Sequence, residues 1–159
     1  MQFRMSVTPP STQTVLTTDF SFDEDFDSLV MDTCQLLSRT DCEFQVSGLG
    51  QDRWPVDVSC DLSSVIEQLP EALTALRERE PAQIDFYGQG IERLVTFTPR
   101  AESVVVSCTT NNGDSPDVTT ETVPHREAEE LLANLAREFK AALERACPEV
   151  AALPPFADW

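Results

Sequence analysis

Ile84-Asp-Phe-Tyr-Gly-Gln-Gly-Ile-Glu-Arg-Leu-Val-Thr-Phe-Thr-Pro-Arg-Ala-Glu-Ser-Val-Val-Val-Ser-Cys108 is the stretch that decides the fold. β-branched and aromatic residues fill three short runs in it, and turn residues separate them. That pattern predicts an antiparallel meander. Ile84 and Phe86 lead through a Gly88-Gln89-Gly90 turn into Ile91–Phe97. Pro99 to Glu102 make the next turn, before Ser103–Thr109. The consecutive Val104, Val105 and Val106 predict a central strand buried on both faces.

Downstream, Asn111-Asn112-Gly113-Asp114-Ser115-Pro116-Asp117 reads as a long exposed loop. Val118–Val123 reads as a final edge strand. Pro124 then opens the clearest helix of the chain. Its stripe is Ala128, Leu131, Leu132, Leu135, Phe139, Ala142, Leu143 and Ala146. Early Glu127, Glu129 and Glu130 and late Arg137, Lys140 and Arg145 match the helix dipole, and Pro148 ends the run. Phe156 and Trp159 are expected to dock on the body, with a partner anchor as the other role open to them.

Upstream, Leu62, Val65, Ile66, Leu69, Leu73 and Leu76 form one helical stripe, which Asp61 or Ser63 is placed to cap. Pro70 falls inside it and predicts either a kink or two shorter helices. Cys42, Phe44 and Val46, then Trp54, Val56, Val58 and Cys60, alternate about a Gly48–Asp52 turn, which predicts a hairpin. Phe26, Leu29, Val30, Thr33, Leu36 and Leu37 predict a helix over 22–38. Residues 13–18 read as a short strand or an extended lead-in, and 1–12 as a flexible tail ending in Pro9-Pro10-Ser11-Thr12.

The fold expectation is therefore a single α+β domain over 13–159. Its mainly antiparallel sheet has about five to six strands with helices packed on it. The element order is α-β-β-α-β-β-β(-β)-α, the last strand being optional.

The chain has 159 residues, 41% hydrophobic and 25% charged, enough to bury a core. Its 28 acidic residues against 11 basic ones give a net charge of −17. That field repels nucleic-acid phosphates and anionic membrane surfaces, so neither is expected as a partner. It favours a basic partner and speeds encounter with one. No run of 18 apolar residues spans a membrane, and the first residues lack the apolar core of a signal peptide. The five cysteines (34, 42, 60, 108 and 147) are odd in number and lack Cys-x-x-Cys spacing. Buried reduced thiols in a cytoplasmic protein are the expectation.

Chemistry is sparse. The one histidine, His125, falls at a helix start, where a solvated cap position is the commoner role. Scattered cysteines and one histidine do not make a zinc site. Asp23-Glu24-Asp25-x-Asp27 lacks the glycine of a calcium loop and sits on a helical pattern. Gly88-Gln-Gly90 lacks the third glycine and following helix of a dinucleotide motif. The expectation is a non-enzymatic chain with no cofactor and no metal. Its candidate partner-binding residues are surface ones: Asp23, Glu24, Asp25, Asp27 and Asp32 on the first helix, and Asn112, Asp114 and Asp117 in the polar loop.

In size, acidity and layout the chain resembles the immunity proteins of bacterial secreted-toxin systems. The resemblance is carried by Asp85-Phe86-Tyr87-Gly88-Gln89-Gly90-Ile91-Glu92-Arg93, by the strands after it, and by the closing Pro154-Pro155-Phe156-Ala157-Asp158-Trp159. It implies binding one cognate protein toxin or effector and blocking it. Acidic secretion chaperones, which hold an extended effector segment along apolar patches, are the alternative class; they act as dimers. Monomer and homodimer both remain open for this chain.

Overall fold

The computed structural model describes residues 3–11, 25–86, 93–110 and 120–159. The elements in order are β1 (Arg4–Thr8), α1 (Phe26–Leu37), β2 (Glu43–Ser47), α2 (Ser63–Arg77), β3 (Ala82–Phe86), β4 (Arg93–Arg100), β5 (Ser103–Thr110), β6 (Thr120–Pro124), α3 (His125–Ala146) and α4 (Pro148–Ala151). A π-helical turn, Val58–Leu62, leads into α2, and a 3-10 turn, Phe156–Asp158, follows α4. The fold is α+β, with a four-stranded antiparallel sheet β3-β4-β5-β6 and a two-stranded sheet β1-β2.

The meander forms as its alternation predicts. Ile84 opposes Val95, Phe97 opposes Val106, and Val104 opposes Val123. These side chains are buried on one face, toward the side that α2 and α3 cover. β5 is an inner strand, but Val105 is half-exposed, so the valine run is buried on one face and not two. The Gly88–Gly90 turn, the Asn111–Asp117 loop and the 13–18 segment lie outside the described residues.

Four expectations are corrected. Residues 1–12 are not a loose tail throughout: Phe3, Met5 and Val7 are buried, alternating with Arg4, Ser6 and Thr8. That period of two makes β1, which pairs with β2 in the register Met5–Val46 and Val7–Phe44. The hairpin of 42–47 with 54–60 goes no further than its turn: Gly48 bridges Gln51 and the Trp54 N–H donates to the Val46 carbonyl at 2.8 Å, but no strand follows, because the backbone turns into the π-helix at Val58. Asp57 instead caps the π-helical turn, accepting the N–H groups of Cys60 at 2.8 Å and Asp61 at 2.9 Å, while Asp61 accepts the N–H of Asp57 at 2.9 Å. Neither Asp61 nor Ser63 caps α2. The order is consequently β-α-β-α-β-β-β-β-α-α, with one strand on each side of α1. Pro70 lies within a single continuous α2.

The two sheets share one core. Phe3 contacts Phe97 edge-on, with ring centroids 6.2 Å apart, and Trp54 lies 5.8 Å from Phe3 and 5.7 Å from Phe86. Trp54 Nε1 donates to the Gly48 carbonyl at 3.1 Å. Gly48 and Gly50, both at positive φ, flank Leu49, which is left-handed as well, and so tighten the turn around that contact.

α3 spans 22 residues and buries Ala128, Leu132, Leu135, Ala136, Phe139, Ala142, Leu143 and Ala146. Its small residues let α2 and β1 pack closely, and its large ones fill the space between the layers.

Candidate functional site

Asp25 is the N-cap of α1. Its carboxylate accepts the Ser28 N–H at 2.8 Å. Hydrogen bonding from Ser28, side chain first and backbone second, holds Asp25 below the usual aspartate pKa. Asp27 follows in the first turn, where the helix dipole tolerates negative charge. Both are exposed.

At 100° per residue, Asp27, Met31 and Gln35 form one ridge, and all three are exposed, Met31 at 46%. Asp32 lies about 140° round the helix from Asp27 and is half-buried. The helix thus separates Asp32 from Asp27. Asp23, Glu24, Asn112, Asp114 and Asp117 lie outside the described residues.

Phe26, the residue between the two exposed acids, packs on the end of the chain. Its ring centroid is 5.7 Å from that of Phe156 and 6.5 Å from that of Trp159. Phe139 of α3 supports both, at 6.0 and 6.3 Å. Phe156 and Phe139 are fully buried, whereas Phe26 and Trp159 are half-buried. Docking of the closing aromatics is as expected. Their meeting with the acidic start of α1 was not legible, since no local pattern links positions 26 and 159.

A second acidic surface is an open trough of about 480 Å³ between α3 and β1. Glu127, Glu130 and Glu138 line it with Leu131, Asn134 and residues 3–6. Its acids are already engaged. Glu130 pairs with Arg126 at 2.9 Å. Burial raises the Glu138 carboxyl, and hydrogen bonding from the Val7 backbone partly opposes that.

His125 is buried and not a solvated cap. Its Nε2 lies 3.0 Å from Glu129 Oε1, and Nδ1 has no hydrogen-bond partner among the described residues. All five cysteines are free. Burial pushes Cys34 well above its ordinary pKa, and raises Cys42 to about 11. Cys108 and Cys147 are raised for the same reason. Thiols so shifted are poor nucleophiles near neutral pH. Cys60 is exposed and Cys108 half-exposed, against the expectation of burial. The physical reason for Cys60 is that its segment turns into the π-helix instead of joining a sheet.

Among the described residues, no group of three or more His, Cys, Asp or Glu is placed to hold a metal ion. No helix among them is long and apolar enough to cross a membrane. Compared with family models, curated proteins and solved structures, the chain matches none.

Proposed function

We propose that this protein is a toxin-neutralising immunity protein, which binds and inhibits a cognate basic bacterial effector through an acidic surface. The observation that carries the reading is uncompensated carboxylate held on a fixed helix. Asp25 and Asp27 are exposed at the start of α1, which has no basic residue in its last turn. The ion pairs between described residues are Arg79–Glu102, His125–Glu129 and Arg126–Glu130, and none uses either acid. Effectors that act on nucleic acid are basic where they bind phosphate. Carboxylates laid over such a site speed encounter and exclude the substrate.

The secretion-chaperone alternative calls for an exposed apolar groove. Among the described residues Met31 is the one large apolar side chain that is exposed, which favours the inhibitor.

The test is co-expression with the product of the neighbouring gene, followed by purification and growth assay. The expected result is a stoichiometric complex with a basic protein that is toxic alone, and restored growth. Replacing Asp25 and Asp27 together by Asn should slow association severalfold at low salt and flatten its salt dependence, because rim charges act mainly on the on-rate. A captured protein that is unfolded and harmless alone would overturn the reading in favour of a chaperone.

A further inference from the structure

We infer that Phe26 and Trp159, rimmed by Asp25, Asp27 and Asp158, form a docking surface for an arginine side chain presented by a basic protein. The first argument is fixation. Trp159 stands edge-on to Phe156, with centroids 5.2 Å apart and planes at 82°, and edge-on to Phe26 at 84°. Phe156 and Phe139 lie fully buried beneath them. Lys140 Nζ donates to the backbone oxygens of Ala157 at 2.9 Å and Trp159 at 3.2 Å, tying the closing segment to α3. Two half-exposed rings held from below lose little conformational freedom on binding.

The second argument is charge. Asp25, Asp27 and Asp158 are all exposed, and each is adjacent in sequence to Phe26 or Trp159. Lys140 is directed at backbone oxygens, and no ion pair between described residues involves these three acids. An aromatic face with carboxylates beside it suits a planar guanidinium, which stacks on the ring and reaches a carboxylate in a fork. A strongly hydrated ammonium fits it less well. Aromatic anchors inside a polar rim are also the usual anatomy of the tightest part of a protein interface.

The identity of the partner rests on the immunity reading, but the surface itself does not, and the two can fail separately. The probe is a hexa-arginine peptide, titrated at low salt into the isotopically labelled full chain, with hexa-lysine as comparison. Trp54 is the internal reference, because its indole N–H is buried and bonded to Gly48. The expected result is a shift of the Trp159 indole and the Phe26 amide, with Trp54 unmoved and hexa-arginine the tighter peptide. Trp159→Ala should weaken hexa-arginine about two- to fivefold, the size of an exposed cation–π contact. Trp159→Phe, which keeps the packing, should restore most of that. Converting Asp25, Asp27 and Asp158 together to Asn leaves the rings in place and should weaken both peptides about tenfold at low salt, if each exposed charge contributes like a surface ion pair.

Shifts spread over the acidic surface with Trp159 unmoved would overturn the inference. So would equal affinity for the two peptides, or shifts at these residues that grow with protein concentration alone and make a second copy the occupant. Neutralisation of a basic toxin that leaves Trp159 unaffected would sink this surface and keep the immunity function. A hexa-arginine site at Trp159 on a chain that rescues no growth would do the reverse.

Discussion

The carboxylate of Glu121 accepts the backbone N–H of Leu49 at 3.2 Å, across 72 positions of sequence. Its other oxygen accepts the N–H of Phe3. One side chain on the edge strand β6 thereby holds both the first residue before β1 and the turn after β2. It joins the two sheets by hydrogen bonds where Phe3 and Phe97 join them by packing.

A hydrogen bond to a charged group contributes about 1.5–3 kcal/mol, and Glu121 is half-exposed, so the lower end applies to each of its two bonds. Glu121→Ala is expected to cost about 2–3 kcal/mol, and Glu121→Gln, which keeps one acceptor, about half of that. Urea unfolding measures the total. Hydrogen exchange at Phe3 and Leu49 should quicken more than exchange in β4 and β5. Uniform quickening would mean that Glu121 supports global stability without clasping β1.

Gln68 of α2 does a related job at the other edge. Its amide donates to the Asp85 carbonyl at 2.8 Å and accepts the Asp85 N–H at 2.9 Å, so a side chain completes the hydrogen bonding of the edge strand β3. Uncovered strand edges recruit other chains. Gln68→Leu is expected to cost about 1–3 kcal/mol and to raise self-association, read as a concentration-dependent sedimentation coefficient. Gln68→Glu keeps only the acceptor and should show the same defect. A Gln68→Leu protein that stays as monodisperse as the parent would remove the edge-covering role.

How much of this could be read from the chain depended on the range of the interaction. The meander and α3 were legible because β-branched alternation and a wide apolar stripe are local signals. β1 was legible too, as Phe3, Met5 and Val7 at alternate positions, but the prolines after it drew the reading toward a tail. The second half of the expected hairpin failed because an alternation of Trp54, Val56, Val58 and Cys60 says nothing about where the backbone leaves the extended region. The Trp54 N–H does reach the Val46 carbonyl of β2, but Asp57 then turns the backbone into a helix. Gln68 and Glu121 carried no signal, since each is a single polar residue whose strand-holding partners lie far off in sequence, 17 positions for Gln68 and 72 and 118 for Glu121.

At the candidate site, the acidic run was visible as composition, but its orientation was not. Packing against α2 and α3 decides that Asp25 and Asp27 face outward and that Asp32 is half-buried. The approach of Trp159 to Phe26 follows from where α3 ends, which is a property of the whole fold.

Asp61 offers a test of electrostatics inside the fold. It is 3% exposed; Oδ2 accepts the Asp57 N–H at 2.9 Å, and Oδ1 is buried with no hydrogen-bond partner among the described residues. Burial raises its pKa and the neighbouring Asp57 charge adds to that, with the Asp57 backbone hydrogen bond opposing. A carboxyl whose folded pKa exceeds its unfolded value gives its full stabilisation below the unfolded pKa, about 3.9 for aspartate. That stabilisation is lost as pH rises through the folded pKa, because the native state then has to release a proton it holds more tightly. Asp25 and Asp41 act in the opposite sense: hydrogen bonds from Ser28 and Ser11 lower them, so their contribution is lost as pH falls. Comparing the parent with Asp61→Asn at each pH cancels those two, because both proteins contain them. The difference in unfolding free energy should move in favour of Asp61→Asn as pH rises from about 3.5, below the unfolded value, toward neutrality. A difference that is flat with pH would mean that Asp61 titrates alike in both states; one that moves in favour of the parent would mean that its charged form is stabilised in the fold, with Oδ1 satisfied.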